Sequence, residues 1–288
     1  MMFTNILFPV DFSERCRAAA PYIRAVAAKS RASLTLVNFV ETPVIWYGAA
    51  EAPCMPDFNT PKLIEEAQHR LTFFSNECFP GMDPNLVVES GDPGSCIVEL
   101  ARTSNIDLIM MPTRGQGRFR AALLGSVTAK VLHDAECPVW TDAHVEEPDE
   151  KPSPEWRTVL CALDTSSDAL CVLRRAASLR DLFNASIQLV HAIPAAETRP
   201  EKYLDRDFET FLAESARETI ARMQKTAGTD FPVCIRPGKI ADVVAAFARE
   251  LPADLTVIGR GSLPRFGGRL RTHAYAIIRD VPCPVLSF

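Results

Sequence analysis

The sequence predicts a doubly wound α/β fold, written twice along one chain. Five apolar segments recur in the same order at offsets of about 150 residues. ILFPVDFS at 6–13 is matched by VLCALDTS at 159–166, and LTLVNF at 34–39 by IQLVHA at 187–192. VESGDPGSCIVELA at 88–101 stands against CIRPGKIADVVAAFA at 234–248, IDLIMM at 106–111 against ADLTVIG at 253–259, and ECPVW at 136–140 against PCPVL at 282–286. The apolar runs are short and β-branched or Leu-rich, as in parallel strands buried on both faces. Helical patterns lie between them, and such alternation means helices on both faces of a parallel sheet, here five strands per copy.

The elements follow in order. After the first strand and Asp11, residues 13–30 put Ala19, Ile23 and Val26 on one helical face, and Ser13 is placed to cap the N-terminus. Thr60-Pro61 reads as a cap and a first-turn proline opening a helix over 60–79. Residues 94–103 group Ile97, Leu100 and Ala101, and residues 122–135 group Leu124, Val127 and Val131. The second copy repeats this with helices over Asp168–Arg180, Tyr203–Ala227, Ala241–Glu250 and Thr272–Arg279. DAHVEEPDEKPSPE at 142–155 has linker composition, charged and poor in apolar side chains. The domains are therefore expected at 1–146 and 153–288.

A chain of 288 residues accommodates two domains of about 140 residues each. With 47% apolar and 23% charged residues its composition is that of a globular protein. The net charge of -5 argues against a generic binder of nucleic-acid phosphates. No apolar run is long enough to span a bilayer, and the N-terminus lacks the basic region of a signal peptide. Nine cysteines without a C-x-x-C motif read as reduced thiols, so the expected setting is cytoplasmic.

In doubly wound sheets, ligands bind beyond the carboxyl ends of the strands, where the strand order reverses. The informative positions in the first copy are Asp11, Phe39–Val40 after the second strand, and Pro112 onward. Residues 111–132 read MPTRGQGRFRAALLGSVTAKVL: a strand running into a Gly-rich, Arg-bearing loop, then Gly125-Ser126 opening a helix. Free N–H groups at a helix start attract anions. Gly115, Gly117 and Gly125 permit close backbone approach. Ser126 can cap the helix and donate to a phosphate oxygen, and Arg114, Arg118 and Arg120 add positive charge. The plain alternative is a glycine-containing turn with solvated arginines.

The segment P-T-R-G-x9-G-S-V, followed by a helix and C-P-V, resembles the universal stress protein signature G-x2-G-x9-G-[S/T], read here at Pro112, Gly115, Gly125 and Ser126. ILFPVDFS is similar to that family's first strand, and the resemblance covers both halves. It implies a tandem member with strand order 3-2-1-4-5 in each half. It further implies a stress-response protein that binds an adenine nucleotide, ATP or AMP, as a regulatory ligand. The adenine would lie against main chain at Val10–Asp11 and Phe39, with Asp11 facing base and ribose. Gly115, Gly125, Ser126 and Val127 would hold the phosphates, with Arg114 and Pro112 in the same loop. The halves are expected to pair as an internal pseudo-dimer through edges at Pro138–Thr141 and Pro284–Phe288, with a homodimer as a further expectation.

Two departures from the signature matter. Pro112 stands where the first motif glycine belongs and has no N–H to offer, so a glycine there is expected to bind ATP more tightly. In the second copy, GRGSLPRFGGRLRTHAY at 259–275 aligns Arg271-Thr272 with Gly125-Ser126. A long side chain then fills the phosphate position, although Arg260, Arg265, Arg269 and Arg271 could take an anion in another way. Nucleotide is therefore expected in the first copy.

Other signals carry less. There is no G-x4-G-K-[S/T] and no G-x-G-x-x-G. The nucleotidyl-transferase histidine signature and the Ser-Gly-Gly-x-Asp-Ser loop of related folds are also missing. His69, His133, His144, His191 and His273 show no metal spacing, and His191 reads as a packed histidine. Asp11 and Asp164 either join a Mg²⁺ shell with phosphates or orient the following helices. Trp46-Tyr47 lie in a Pro-rich insert at 41–60 that reads as a lid, an interaction surface or a packed loop. No poised general base is evident, which ranks a slow ATPase below a nucleotide-binding regulator. An adaptor with two inactive sites is the third reading.

Overall fold

The computed structural model of the chain describes residues 3–41, 60–113, 124–143, 155–166, 169–195, 206–260 and 272–288. The first half runs β1 (Asn5–Pro9), α1 (Glu14–Ser30), β2 (Ser33–Val40), α2 (Thr60–Cys78), β3 (Asn85–Ser90), α3 (Pro93–Thr103), β4 (Leu108–Met110), α4 (Ser126–Asp134) and β5 (Val139–Thr141). The second half runs β6 (Thr158–Ala162), α5 (Ala169–Phe183), β7 (Ser186–Ile193), α6 (Arg206–Ala227), β8 (Val233–Pro237), α7 (Ile240–Glu250), β9 (Leu255–Ile258), α8 (Thr272–Asp280) and β10 (Val285–Ser287).

All ten strands form one sheet in the order β3-β2-β1-β4-β5-β10-β9-β6-β7-β8. Each half is parallel and has the order 3-2-1-4-5 counted from its outer edge. The halves meet where β5 and β10 pair antiparallel, with Val285 opposite Thr141, Leu286 opposite Trp140 and Ser287 opposite Val139. β5 and β10 are therefore inner strands, and the sheet ends at β3 and β8.

Successive strand residues point to opposite faces, so the sheet carries two cores. Ile6, Phe8, Leu108, Met110, Trp140 and Leu286 belong to one, while Leu7, Ile109, Val139 and Val285 belong to the other. Each core draws side chains from both halves. Two matching carboxylates fix where the first strand of each half begins. Asp107 accepts the N–H groups of Thr4 and Asn5 at 2.7 and 3.0 Å, and Asp254 those of Arg157 and Thr158 at 2.9 and 2.8 Å.

Ser13 caps α1 by accepting the N–H of Cys16 at 3.3 Å. Asp92 does the same for α3 through Ser95, at 2.8 Å. Several boundaries differ from the sequence expectation. Phe39 and Val40 are the last residues of β2, because its pairing with β3 continues to Val40 opposite Ser90. Thr60 is already helical rather than a cap. α4 begins at Ser126 rather than 122, with Gly125 as its cap, so Ser126 lies one residue inside the helix and does not cap it. Leu124 is consequently outside the helix whose apolar face it was expected to share. The Trp46-Tyr47 insert, Gly117, Arg118 and Arg120 lie outside the described residues.

Candidate functional site

The strand order reverses between β1, which pairs with β2, and β4, on the opposite side of β1. The β1–β4 ladder is short, pairing Ile6 with Leu108 and Leu7 with Ile109. The equivalent β6–β9 ladder runs four pairs, to Ala162 opposite Ile258. Pro9 and Pro112 explain the difference. Extending the first-half register puts Pro9 opposite Met111, and continuing the ladder would need N–H groups from residues 9 and 112. Proline supplies neither. The crevice at the switch point thus opens earlier in the first half.

A cavity of about 860 Å³ occupies this crevice. That is within the usual range of about 300–1,000 Å³ for small-ligand sites. Val10, Asp11, Phe39, Pro112, Gly125, Ser126 and Val127 all line it. Arg114 and Gly115 lie outside the described residues. The side chains predicted from sequence to form the site are otherwise brought to one place.

The β1 side of the wall is tightly held. Val10 donates its N–H to the Val37 carbonyl at 2.8 Å, and the Asn38 amide donates to the Val10 carbonyl at 2.7 Å. Asp11 Oδ1 accepts the Ser13 N–H and the Cys16 thiol, each at 3.0 Å. Burial, and then the Asp11 charge, push the Cys16 thiol up, so it stays protonated and serves as a donor. Phe12 adopts a left-handed φ of 63°, unusual for a bulky residue. Its ring packs edge-on to Phe74 at 6.2 Å and lies under the Arg70 guanidinium at 4.2 Å. Arg17 donates to its carbonyl at 3.2 Å.

The α4 side is fastened by two threonines. Thr113 gives both its N–H and its hydroxyl to the Asp142 carbonyl, at 3.1 and 2.9 Å. Its own carbonyl accepts the Gly125 N–H at 2.9 Å. Thr128, buried, donates its hydroxyl to the Pro112 carbonyl at 3.2 Å. The first intrahelical bond is Ala129 N–H to the Gly125 carbonyl, at 2.8 Å. Gly125 has no side chain to cap the helix, so the first-turn N–H groups of Ser126, Val127 and Thr128 begin α4 at the cavity wall. This is the arrangement that favours an anion.

Sequence reasoning missed Asn38, Cys16, Phe12, Arg70, Thr113 and Thr128. One signal was available for Asn38. The repeat aligns it with His191, whose Nδ1 lies 2.7 Å from the Leu163 carbonyl, the counterpart of Val10. Arg70 carried no such signal, since only the packing of α2 brings it over Phe12.

The second half keeps the scaffold and changes the loop. Leu163 donates to the Val190 carbonyl at 2.9 Å, and Asp164 Oδ1 accepts the N–H and hydroxyl of Ser166 at 3.1 and 2.6 Å. Arg260 is buried, and its guanidinium bonds backbone carbonyls of the first half, so it is not placed to take an anion beside β9. Arg265, Arg269 and Arg271 lie outside the described residues. Among the described residues, no three His, Cys, Asp or Glu side chains form a metal-binding group. No described helix is long and apolar enough to cross a membrane.

The sequence model of the universal stress protein family matches residues 2–141 and again 155–288. A universal stress protein of Synechocystis is 32% identical over 140 residues, covering 48% of this chain and 85% of that protein. Universal stress protein A homolog 1 of Coxiella burnetii is 32% identical over 141 residues, covering 48% of this chain and 95% of its own length. The crystal structure of a universal stress protein from Archaeoglobus fulgidus superposes on the whole chain with a TM-score of 0.73 at 20% identity, over 98% of its own length. That likeness concerns the fold.

Proposed function

The chain belongs to the universal stress protein family, and from that premise we propose that its first half, residues 1–146, binds ATP or AMP as a regulatory ligand in a cytoplasmic stress response. The observation that carries the reading is the convergence of Asp11, Phe39 and the start of α4 on one cavity at the switch point. The base and ribose would meet Val10, Asp11 and Phe39. The phosphates would meet the α4 N-terminus at Gly125, Ser126 and Val127, with Pro112, Arg114 and Gly115 in the loop before it. A Mg²⁺ carried on the nucleotide phosphates would take Asp11 into its shell. Residues 153–288 would carry no nucleotide, because Arg271 replaces the glycine that opens the helix. The β5–β10 pairing supports reading the two halves as an internal counterpart of a dimer.

Incubation of the full chain with ATP, removal of excess ligand and chromatography of the released nucleotide test the proposal. Intact ATP recovered in stoichiometric amount is expected. ADP would mean hydrolysis, and the protein would then be a slow ATPase. Recovery of no nucleotide, with no heat of binding on titration, would overturn the reading.

A further inference from the structure

Arg260 stands where Thr113 stands in the first half. Each donates its backbone N–H to a carbonyl just beyond the end of β10 or β5, Phe288 at 2.8 Å and Asp142 at 3.1 Å. Their side chains then part. The Thr113 hydroxyl stays within its own half and returns to Asp142. The Arg260 side chain crosses the β5–β10 joint and is only 3% exposed. Its Nη1 donates to the carbonyls of Leu132 and Ala135 at 3.3 and 2.9 Å, and its Nη2 to that of Cys137 at 2.5 Å.

Leu132 is in the last turn of α4, and Ala135 is its C-cap. Carbonyl partners for Nη1 and Nη2 offset part of the cost of burying this guanidinium. These partners also lie at the negative end of a helix, where a cation is favoured. A second contact comes from α8, where the Tyr275 hydroxyl lies 3.5 Å from the Ala129 carbonyl. The opposite end of α4 is the cavity wall, tied to the end of β4 through Gly125 and Thr128. Nine residues of helix, about 13 Å, separate the two ends. A helix that short moves as one body.

We propose that Arg260 is a positioning residue for the nucleotide site of the first half. The second half holds α4 by its C-terminus and so sets where its anion-facing N-terminus lies. The cavity would then be completed by a residue of the half that lacks the signature. The consequence for affinity rests on the nucleotide reading of the cavity, but the positioning itself does not.

The test compares the full chain with Arg260→Met and Arg260→Lys in two measurements. The first is titration calorimetry with ATP, at a temperature where circular dichroism shows each variant folded. The second is hydrogen exchange of the Gly125 and Ala129 amides without nucleotide. The Met variant should weaken ATP binding about fivefold or more and speed exchange at Gly125 and Ala129, not only near Ala135. The Lys variant keeps a cation but loses the planar fork, and it should fall between the two. If Arg260→Met does not fold, Arg260→Lys against the unaltered chain decides, with weaker binding and faster exchange expected. A loss of thermal stability with unchanged affinity and unchanged exchange at Gly125 and Ala129 would overturn the proposal. If the unaltered chain binds no nucleotide, the function proposed above fails, and exchange at Gly125 and Ala129 alone decides: faster exchange upholds the positioning role, and unchanged exchange removes it.

Discussion

Pro112 shows how a register changes the meaning of a residue. Ile109, Met111 and Thr113 donate to carbonyls on the β5 side, at 3.0, 3.1 and 3.1 Å. The nitrogen of residue 112 therefore faces β1, where the Pro9 carbonyl is the partner a continued ladder would use. A glycine at 112 would offer its N–H to Pro9 before any ligand. Pro112→Gly should thus leave ATP affinity within about fivefold, because a neutral hydrogen bond of about 0.5–1.5 kcal/mol is offset by about 0.4–1 kcal/mol of added chain freedom. Tighter binding by calorimetry would return Pro112 to its sequence reading, a donor missing from the site. Gly125 is a different case. Its φ of -62° and ψ of 149° suit any residue, so the backbone does not require glycine there. Gly125→Ala should fold normally, while Gly125→Arg should abolish the thermal shift given by ATP by filling the space before α4. An undiminished shift in the Arg variant would place the ligand elsewhere.

At the scale of elements, the end of β1 depends on a bond from β2. Asn38 holds the Val10 carbonyl, and His191 holds the Leu163 carbonyl at the matching place in β7. Two chemically different side chains perform one task, which is to satisfy a carbonyl where the ladder ends. Asn38→His should therefore be close to neutral in thermal unfolding. Asn38→Leu should cost about 1–3 kcal/mol, since it leaves a half-buried carbonyl without its donor. A Leu variant as stable as the unaltered chain would show that water replaces the amide at no cost. The same strap sets Asp11, because Val10 precedes it and the Ser13 and Cys16 donors follow. Urea titration of the three proteins checks the order.

For the whole molecule, the join between β5 and β10 puts both repeats in one sheet over shared cores, so they are expected to unfold as one unit. Trp140 is fully buried, packs on Tyr22 at 5.6 Å and sits opposite Leu286 of the second half. Trp140→Ala should cost about 3–5 kcal/mol. It should lower the unfolding temperature of both halves together, as a single calorimetric transition. Two separate transitions, with only the first displaced, would show that the shared cores do not couple the halves.

The sequence by itself determined the repeat, the strand–helix alternation and seven of the residues that line the candidate site. These follow from local rules: the apolar period fixes which segments are strands, and a doubly wound sheet puts the residue after each strand at one edge. Asp11 was legible for that reason and Gly125 as the opening of a helix after a Gly-rich loop, whereas Phe39 proves to be one of the last residues of β2 rather than the residue after it. The helix boundaries at Thr60 and Ser126 were less so, because caps depend on a few hydrogen bonds that several adjacent residues can make. Only the tertiary structure decided where Arg260 points, that Pro9 and Pro112 together shorten a ladder, and that Arg70 covers Phe12. Each of these joins residues far apart in the chain through a side chain or a register. Such contacts leave no periodic trace in the sequence, since their geometry exists only once the sheet has closed around them.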